Sequence, residues 1–182
     1  MVFDTMPSPV GALLITSNGE GLTGVSFEEE RHPRRRTDDR IDVADASGRA
    51  VDILRETRRQ LDEYFVGARR EFDLPLAAGG TPFQQMVWEQ LRRIPFGEAI
   101  SYLELARRLG SPRAVRAVGG ANGRNPIPIV VPCHRVIGAD GSLTGFGGGI
   151  ERKRWLLHHE GVLKGSRTGA PAESAVLSLS LD

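Results

Sequence analysis

The chain's 182 residues include one cysteine, Cys133, inside Pro132-Cys133-His134-Arg135-Val136. With no second cysteine there is no intramolecular disulfide, so the residue is either a small buried apolar group or a reactive thiol. Its neighbours favour the second role. An imidazole follows at once, a guanidinium comes next, and a proline fixes the backbone before it. This is a setting for a thiolate, the nucleophilic form of the residue. A free thiol is only a few per cent ionised at neutral pH, so it needs a base, a cation or a helix N-terminus. His134 is the base at hand. In an extended backbone consecutive side chains point to opposite faces, so His134 acts directly only if the chain turns, and otherwise through a water. A third group should orient the imidazole. Glu160 is the acid nominated, since it closes a predicted helix where the dipole disfavours a carboxylate by a few tenths of a kcal/mol.

Other chemistries find no support. No metal cluster, phosphate-cradling loop or dinucleotide fingerprint occurs. His32 stands without cysteine or histidine partners and reads as a surface residue. The expectation is no metal and no cofactor. The first residues, Met-Val-Phe-Asp-Thr-Met-Pro, have no basic region and no apolar core, and no apolar run approaches a membrane span. A lone thiol without a secretory signal points to the reducing cytoplasm. Hydrophobic residues at 40% and charged residues at 26% describe an ordinary globular protein. The net charge of +1 hides an asymmetry: residues 1–78 hold 11 basic and 15 acidic side chains, whereas residues 79–163 hold 11 and 6. The second half therefore suits a polyanion, although surface charge also fluctuates by this much without purpose.

Several elements must position the thiol. Gly11–Ser17 and Leu22–Phe27 read as strands joined at Asn18-Gly19, a hairpin signal. Glu28–Asp45 is charged and reads as a solvated loop. Ser47–Phe65 reads as a helix with Ser47 as N-cap, Gly67 after its end, and Val51, Leu54, Leu61 and Phe65 inward. Glu71–Leu76 reads as an edge strand, and Ala77–Gly80 as a linker where the charge balance flips. The division is an N-terminal α/β domain over 1–78, a C-terminal domain over 79–163, and a disordered tail over 164–182 whose end, Ala175–Leu181, could dock as a strand. Thr81-Pro82 opens a helix to about Ile94. Ser101–Leu109 and Arg113–Ala121 are short helices joined by Gly110-Ser111-Pro112, the shape of a helix-turn-helix. In the second, Ala114, Ala117, Gly119, Gly120 and Ala121 leave one side nearly bare, and Arg113 and Arg116 share a face. Helical glycine costs about 1 kcal/mol relative to alanine, so the pair needs a reason. Either the helix is the floor of a nucleic-acid contact or it packs tightly on another helix. Asn125–Pro132 reads as a stiff extended strut, Asp140-Gly141 as a turn or small hairpin, Gly145–Gly149 as a loop able to wrap a ligand, and Glu151–Glu160 as a helix. A thiol, a base and a nucleic-acid helix leave two options: cysteine chemistry on nucleic acid, or a cysteine hydrolase.

Pro132-Cys133-His134-Arg135-Val136 resembles the active-site signature of the O6-alkylguanine-DNA alkyltransferases. The resemblance extends over Thr81-Pro82-Phe83-Gln84, Ile94-Pro95-Phe96-Gly97, Ser101-Tyr102, Arg116–Asn122, Asn125-Pro126-Ile127-Pro128 and Gly147–Glu160. It implies an α/β (α+β) fold, with a small mixed N-terminal sheet and helix (ribonuclease H-like) before a mostly helical winged helix-turn-helix-like domain. It implies irreversible, stoichiometric transfer of an alkyl group from O6 of guanine, or O4 of thymine, to Cys133. By that pattern His134 is a water-mediated base, Glu160 orients it and Asn125 braces the loop. Tyr102 assists base flipping, and Arg116 fills the vacated stack. The carbonyls of Cys133 and Val136 read the exocyclic amine, and Phe146 and Gly147 line the base pocket. Ser101, Arg113, Ala117, Gly119 and Gly120 meet the minor groove. The implied partner is double-stranded DNA containing O6-alkylguanine, bound by a monomer with room for cooperativity along DNA. Two departures stand out: Phe146 occupies a position often held by tyrosine, and residues 1–78 lack the cysteines that hold zinc in some members.

Overall fold

The computed structural model describes residues 1–27 and 40–164. Strands β1 (Val2–Met6), β2 (Leu13–Ser17) and β3 (Leu22–Phe27) form an antiparallel meander. The sheet order is β3-β2-β1-β4, where β4 (Ile41–Asp42) adds two parallel pairs to β1. Alternation sends Leu13, Ile15 and Ser17 inward, and α1 (Arg49–Phe65) covers that face with Val51, Leu54, Thr57, Leu61 and Tyr64 at three- and four-residue spacing. Arg58 leaves this stripe to pair with Asp4 on β1 at 3.1 Å. The hairpin forms at Asn18-Gly19, where Asn18 Oδ1 accepts from the backbone of Glu20 and Gly21 and the register shifts at Thr16/Ser17.

The second half is mostly helical. α2 (Pro82–Arg92) starts with a reciprocal capping box between Thr81 and Gln84. α3 (Tyr102–Arg108) is capped by Ser101 Oγ, which accepts from the Glu104 backbone at 3.0 Å. α4 (Val115–Gly123) and α5 (Ile150–His159) follow, with β5 (Ile100–Ser101) and β6 (Val136–Ile137) paired in parallel. One contiguous set of buried apolar side chains runs from the sheet through α2, α3 and α4 to α5. No helix among the described residues is long and apolar enough to cross a membrane.

Several expectations need correction. α1 begins at Arg49 behind Gly48, which turns in at φ +85°, so Ser47 is not its cap. Glu71–Leu76 is not a strand. It meets the sheet only where Leu22 N–H donates to Pro75 O and Ala77 N–H to Leu22 O. The end of the charged loop is ordered: Ile41 N–H donates to Met1 O, and Asp42 caps a 3-10 turn over Val43–Asp45. Ser111–Ala114 forms a turn that delays α4 to Val115, so Arg113 lies before the helix and does not share a helical face with Arg116. The turn at Asp140-Gly141 forms, but β6 pairs with β5 and not with a returning strand.

Asn125–Pro132 is not an extended strut. Val131 N–H reaches back to Ile127 O at 2.9 Å, and Ile129 turns at φ +75°, a rare conformation for a β-branched residue. Ile129 and Val130 are the two residues of this stretch that are neither proline nor followed by one, so they escape its extended bias. The tight turn falls on them. His32, most of the charged loop, and the tail beyond Lys164 with its Ala175–Leu181 segment lie outside the described residues.

Candidate active site

Cys133 opens a 3-10 turn over Cys133–Arg135, so consecutive side chains here do not alternate as they would in a strand. The thiol is 5% exposed and lines a cavity of about 440 Å3 with Asn125, Trp88, Pro128, Phe146 and Gly147. Burial pushes the thiol up to about 11, against the Asn125 side chain and the Lys153 charge, which both favour the thiolate. Burial thus opposes the thiolate that the neighbouring imidazole and guanidinium suggest in the sequence. Arg135 does not supply the missing cation, because its guanidinium faces Glu160 and donates to Ile94 O.

Behind the thiol lies a buried network centred on Glu160. One carboxylate oxygen meets His134 Nε2 at 2.8 Å, Tyr64 OH at 2.8 Å and Arg135 Nη2 at 3.0 Å. The other takes Arg135 Nε at 2.7 Å. Burial pushes the Glu160 carboxyl up, but the hydrogen bonds from His134 and Arg135 and the Arg135 charge outweigh it and hold the group at about 2. Burial likewise lowers His134, against the pull of Glu160, so the ring rests neutral. A neutral ring that donates Nε2–H to a carboxylate presents a lone pair on Nδ1. That buried Nδ1 has no hydrogen-bond partner among the described residues. Glu160 holds this position because α5 ends there, with Gly161 taking φ +77° after it.

Asn125 braces the turn before Cys133: its Nδ2 donates to Val131 O at 2.7 Å and its Oδ1 accepts from Ile127 N–H at 3.1 Å. Tyr102, the first residue of α3, donates its hydroxyl to Thr144 O at 3.0 Å. Val136 contributes a carbonyl that accepts from Lys153 at 2.6 Å. Ser101 uses its hydroxyl on the cap of α3. Arg113, Arg116 and Ala117 are exposed, and Gly119 and Gly120 half-buried. A Cβ on Gly119 would make only ordinary contact with Tyr102 at 3.8 Å, and one on Gly120 would meet the flexible end of Arg124 at 3.3 Å. Packing within the protein therefore does not demand these glycines. Cys133, Asn125, Phe146 and Gly147 thus converge on one cavity, with His134 and Glu160 behind it. Arg116 and the glycines belong to a separate outer surface. Among the described residues, no group of three or more His, Cys, Asp or Glu could hold a metal ion.

Sequence reasoning missed Tyr64 and Lys153. Tyr64 follows Leu61 on the inward face of α1, and burial with the nearby Glu160 charge raises its hydroxyl pKa. A tyrosine on an apolar stripe needs a hydroxyl partner, which was the available signal. Lys153 precedes Leu156 and Leu157 by three and four residues, so it points inward. Its amine donates to Val136 O at 2.6 Å and Thr144 O at 2.7 Å, and burial lowers it to about 8.

Comparison with known proteins gives a consistent picture. Residues 1–78 match the family described as 6-O-methylguanine DNA methyltransferase, ribonuclease-like domain. Residues 82–162 match 6-O-methylguanine DNA methyltransferase, DNA binding domain. A methylated-DNA--protein-cysteine methyltransferase of Methanosarcina acetivorans is 45% identical over 161 residues, covering 88% of this chain and 99% of its own. One of Mycobacterium tuberculosis is 48% identical over 171 residues, covering 94% and 95%. The crystal structure of Mycobacterium tuberculosis OGT in complex with DNA aligns with a TM-score of 0.80 at 45% identity, over 93% of this chain and 96% of that one. The chain belongs to the 6-O-methylguanine DNA methyltransferase family.

Proposed function

We propose that this chain repairs DNA by direct reversal, taking the alkyl group from O6 of guanine, or O4 of thymine, onto Cys133. The Sγ–carbon bond forms as the oxygen–carbon bond breaks in line. The thiol proton leaves toward His134 and the base regains one proton, so the exchange is proton-neutral. The product is a thioether, so each molecule acts once. A soft sulfur attacking a saturated carbon needs no cofactor. The observation that carries this reading is the lone cysteine, set in a cavity and followed in the chain by a carboxylate-held imidazole.

With burial pushing the thiol up to about 11, the thiolate is strongly disfavoured in the resting site. His134 must therefore draw the proton when substrate is in place, through Nδ1 and a water. Glu160 keeps the ring oriented and stabilises the imidazolium that forms. Asn125 holds the Cys133 turn, and the Cys133 and Val136 carbonyls read the exocyclic amine. Lys153 uses one lone pair of the Val136 carbonyl, which leaves the other. The target base must leave the stack to reach the cavity. Tyr102 exchanges its bond to Thr144 for one to the flipped base, and Arg116 fills the gap. Ala117, Gly119 and Gly120 form a bare floor against the minor groove, supported by the absence of any internal need for glycine there. Arg113 contacts phosphate from the preceding turn, and Ser101 fixes the start of the helix carrying Tyr102. Phe146 and Gly147 line the base pocket.

In this reading residues 1–78 support residues 79–163, which hold the chemistry and the DNA contact, and a monomer acts in the reducing cytoplasm. The test is intact mass after incubation with a duplex carrying O6-methylguanine. Wild type should gain one methylene, and Cys133→Ala should gain none. No gain with wild type sinks the reading.

A further inference from the structure

Phe27 ends β3 and lies in the N-terminal sheet, far in sequence from the thiol. It is 3% exposed, and its ring meets Phe146 edge-on, with centroids 5.8 Å apart and planes at 60°. Gly148 packs against both. A Cβ there would lie 2.6 Å from the Phe27 ring and 2.8 Å from the Phe146 ring, so the three groups leave no slack. The Arg152 guanidinium lies 5.1 Å from the Phe27 centroid. Arg152 also donates to Val10 O at 2.7 Å and Gly148 O at 3.0 Å, tying the glycine loop to the N-terminal half. Two residues before Phe27, Val25 N–H donates to Pro126 O at 2.9 Å. Pro126 and Phe146 come from different loops, and both line the cavity beside Cys133. The end of β3 therefore holds two of its walls.

We infer that Phe27 is a positioning residue that sets which alkyl groups the cavity accepts, by holding Phe146 at a fixed distance from Cys133. This rests on Cys133 being the alkyl acceptor. An edge-to-face pair fixes both separation and tilt, and contributes beyond simple burial. Without the Phe27 ring, Phe146 gains room away from the thiol and the cavity widens. A bulky aryl-methyl group then fits more easily. A methyl group, which fills little of the space, loses the confinement that aligns its carbon with the sulfur.

The experiment measures single-turnover transfer from duplexes carrying O6-methylguanine or O6-benzylguanine, for wild type, Phe27→Leu, Phe146→Ala and the double variant. Phe27→Leu should raise the benzyl-to-methyl rate ratio about three- to tenfold, the scale of one lost aromatic pair. In the Phe146→Ala background the same substitution should leave the ratio unchanged, because Phe27 acts through Phe146. A general loss of packing would instead slow both substrates alike. Phe27→Met, which keeps apolar volume, gives the same reading should the leucine variant not fold. An unchanged ratio in Phe27→Leu, or an equal change with and without Phe146, overturns the role of Phe27 alone. Absence of methyl uptake by wild type overturns the reading on which it rests.

Discussion

The network behind Cys133 and the outer face of α4 are built on opposite terms. Around Glu160 three donor side chains converge on a carboxylate taken out of water and satisfy both its oxygens. On α4, Ala117, Gly119 and Gly120 present almost nothing, although each helical glycine costs about 1 kcal/mol relative to alanine. A buried charge is tolerable only when fully satisfied, so the chemical region must be complete before any substrate arrives. A surface shaped for a partner is better left unfinished, since the partner supplies the missing contacts. The contrast separates residues whose loss should damage the fold from those whose loss should damage recognition.

Glu160→Gln should break this contrast most severely. It leaves Arg135 buried without its carboxylate and should cost about 3–5 kcal/mol of stability, read by urea unfolding. A loss below about 1 kcal/mol would mean that water screens the network. The pH dependence has the same origin. Because the Glu160 carboxyl is held at about 2, below its usual 4.5, its contribution is complete above 4.5 and disappears as pH falls toward 2. Arg116→Ala should leave stability unchanged yet slow methyl uptake from duplex DNA about tenfold, the scale of one lost stacking contact. Uptake from the free base O6-benzylguanine should be unaffected; slowing there as well would place Arg116 in the chemistry. Gly119→Ala should give the smallest change and the most telling one. The helix should gain up to about 1 kcal/mol while binding to duplex DNA weakens. Unchanged DNA affinity would show that α4 is not the groove floor.

The same contrast governs what could be read from sequence. Local signals were legible: Thr81-Pro82 as a helix start, Asn18-Gly19 as a hairpin, and the small residues of α4 as a surface needing a reason. The Cys133 signature and Glu160 were legible too, the latter through an acid at the wrong end of a helix. Tyr64 and Lys153 were not, because their partners lie on other elements and only an inward polar side chain hints at them. Glu71–Leu76 has strand-like composition but only a single bridge to pair with, and β-propensity without a partner decides little. Asn125–Pro132 turns where its composition reads as extended, because its prolines mask the two residues free to turn.

The Tyr64–Glu160 hydrogen bond closes a loop of 96 residues, while His134 and Glu160 stand 26 apart. Contacts of such sequence separation carry a large closure entropy and form late, after local helices and hairpins. During synthesis the thiol emerges well before residue 160, and so before its imidazole can be oriented. The growing chain thus carries Cys133 as an unassisted thiol until α5 arrives and brings Glu160 to His134. A freshly made Cys133 is as ionised as any exposed cysteine, a few per cent, so it is closure of the pocket that quiets the nucleophile until a substrate is seated beside it.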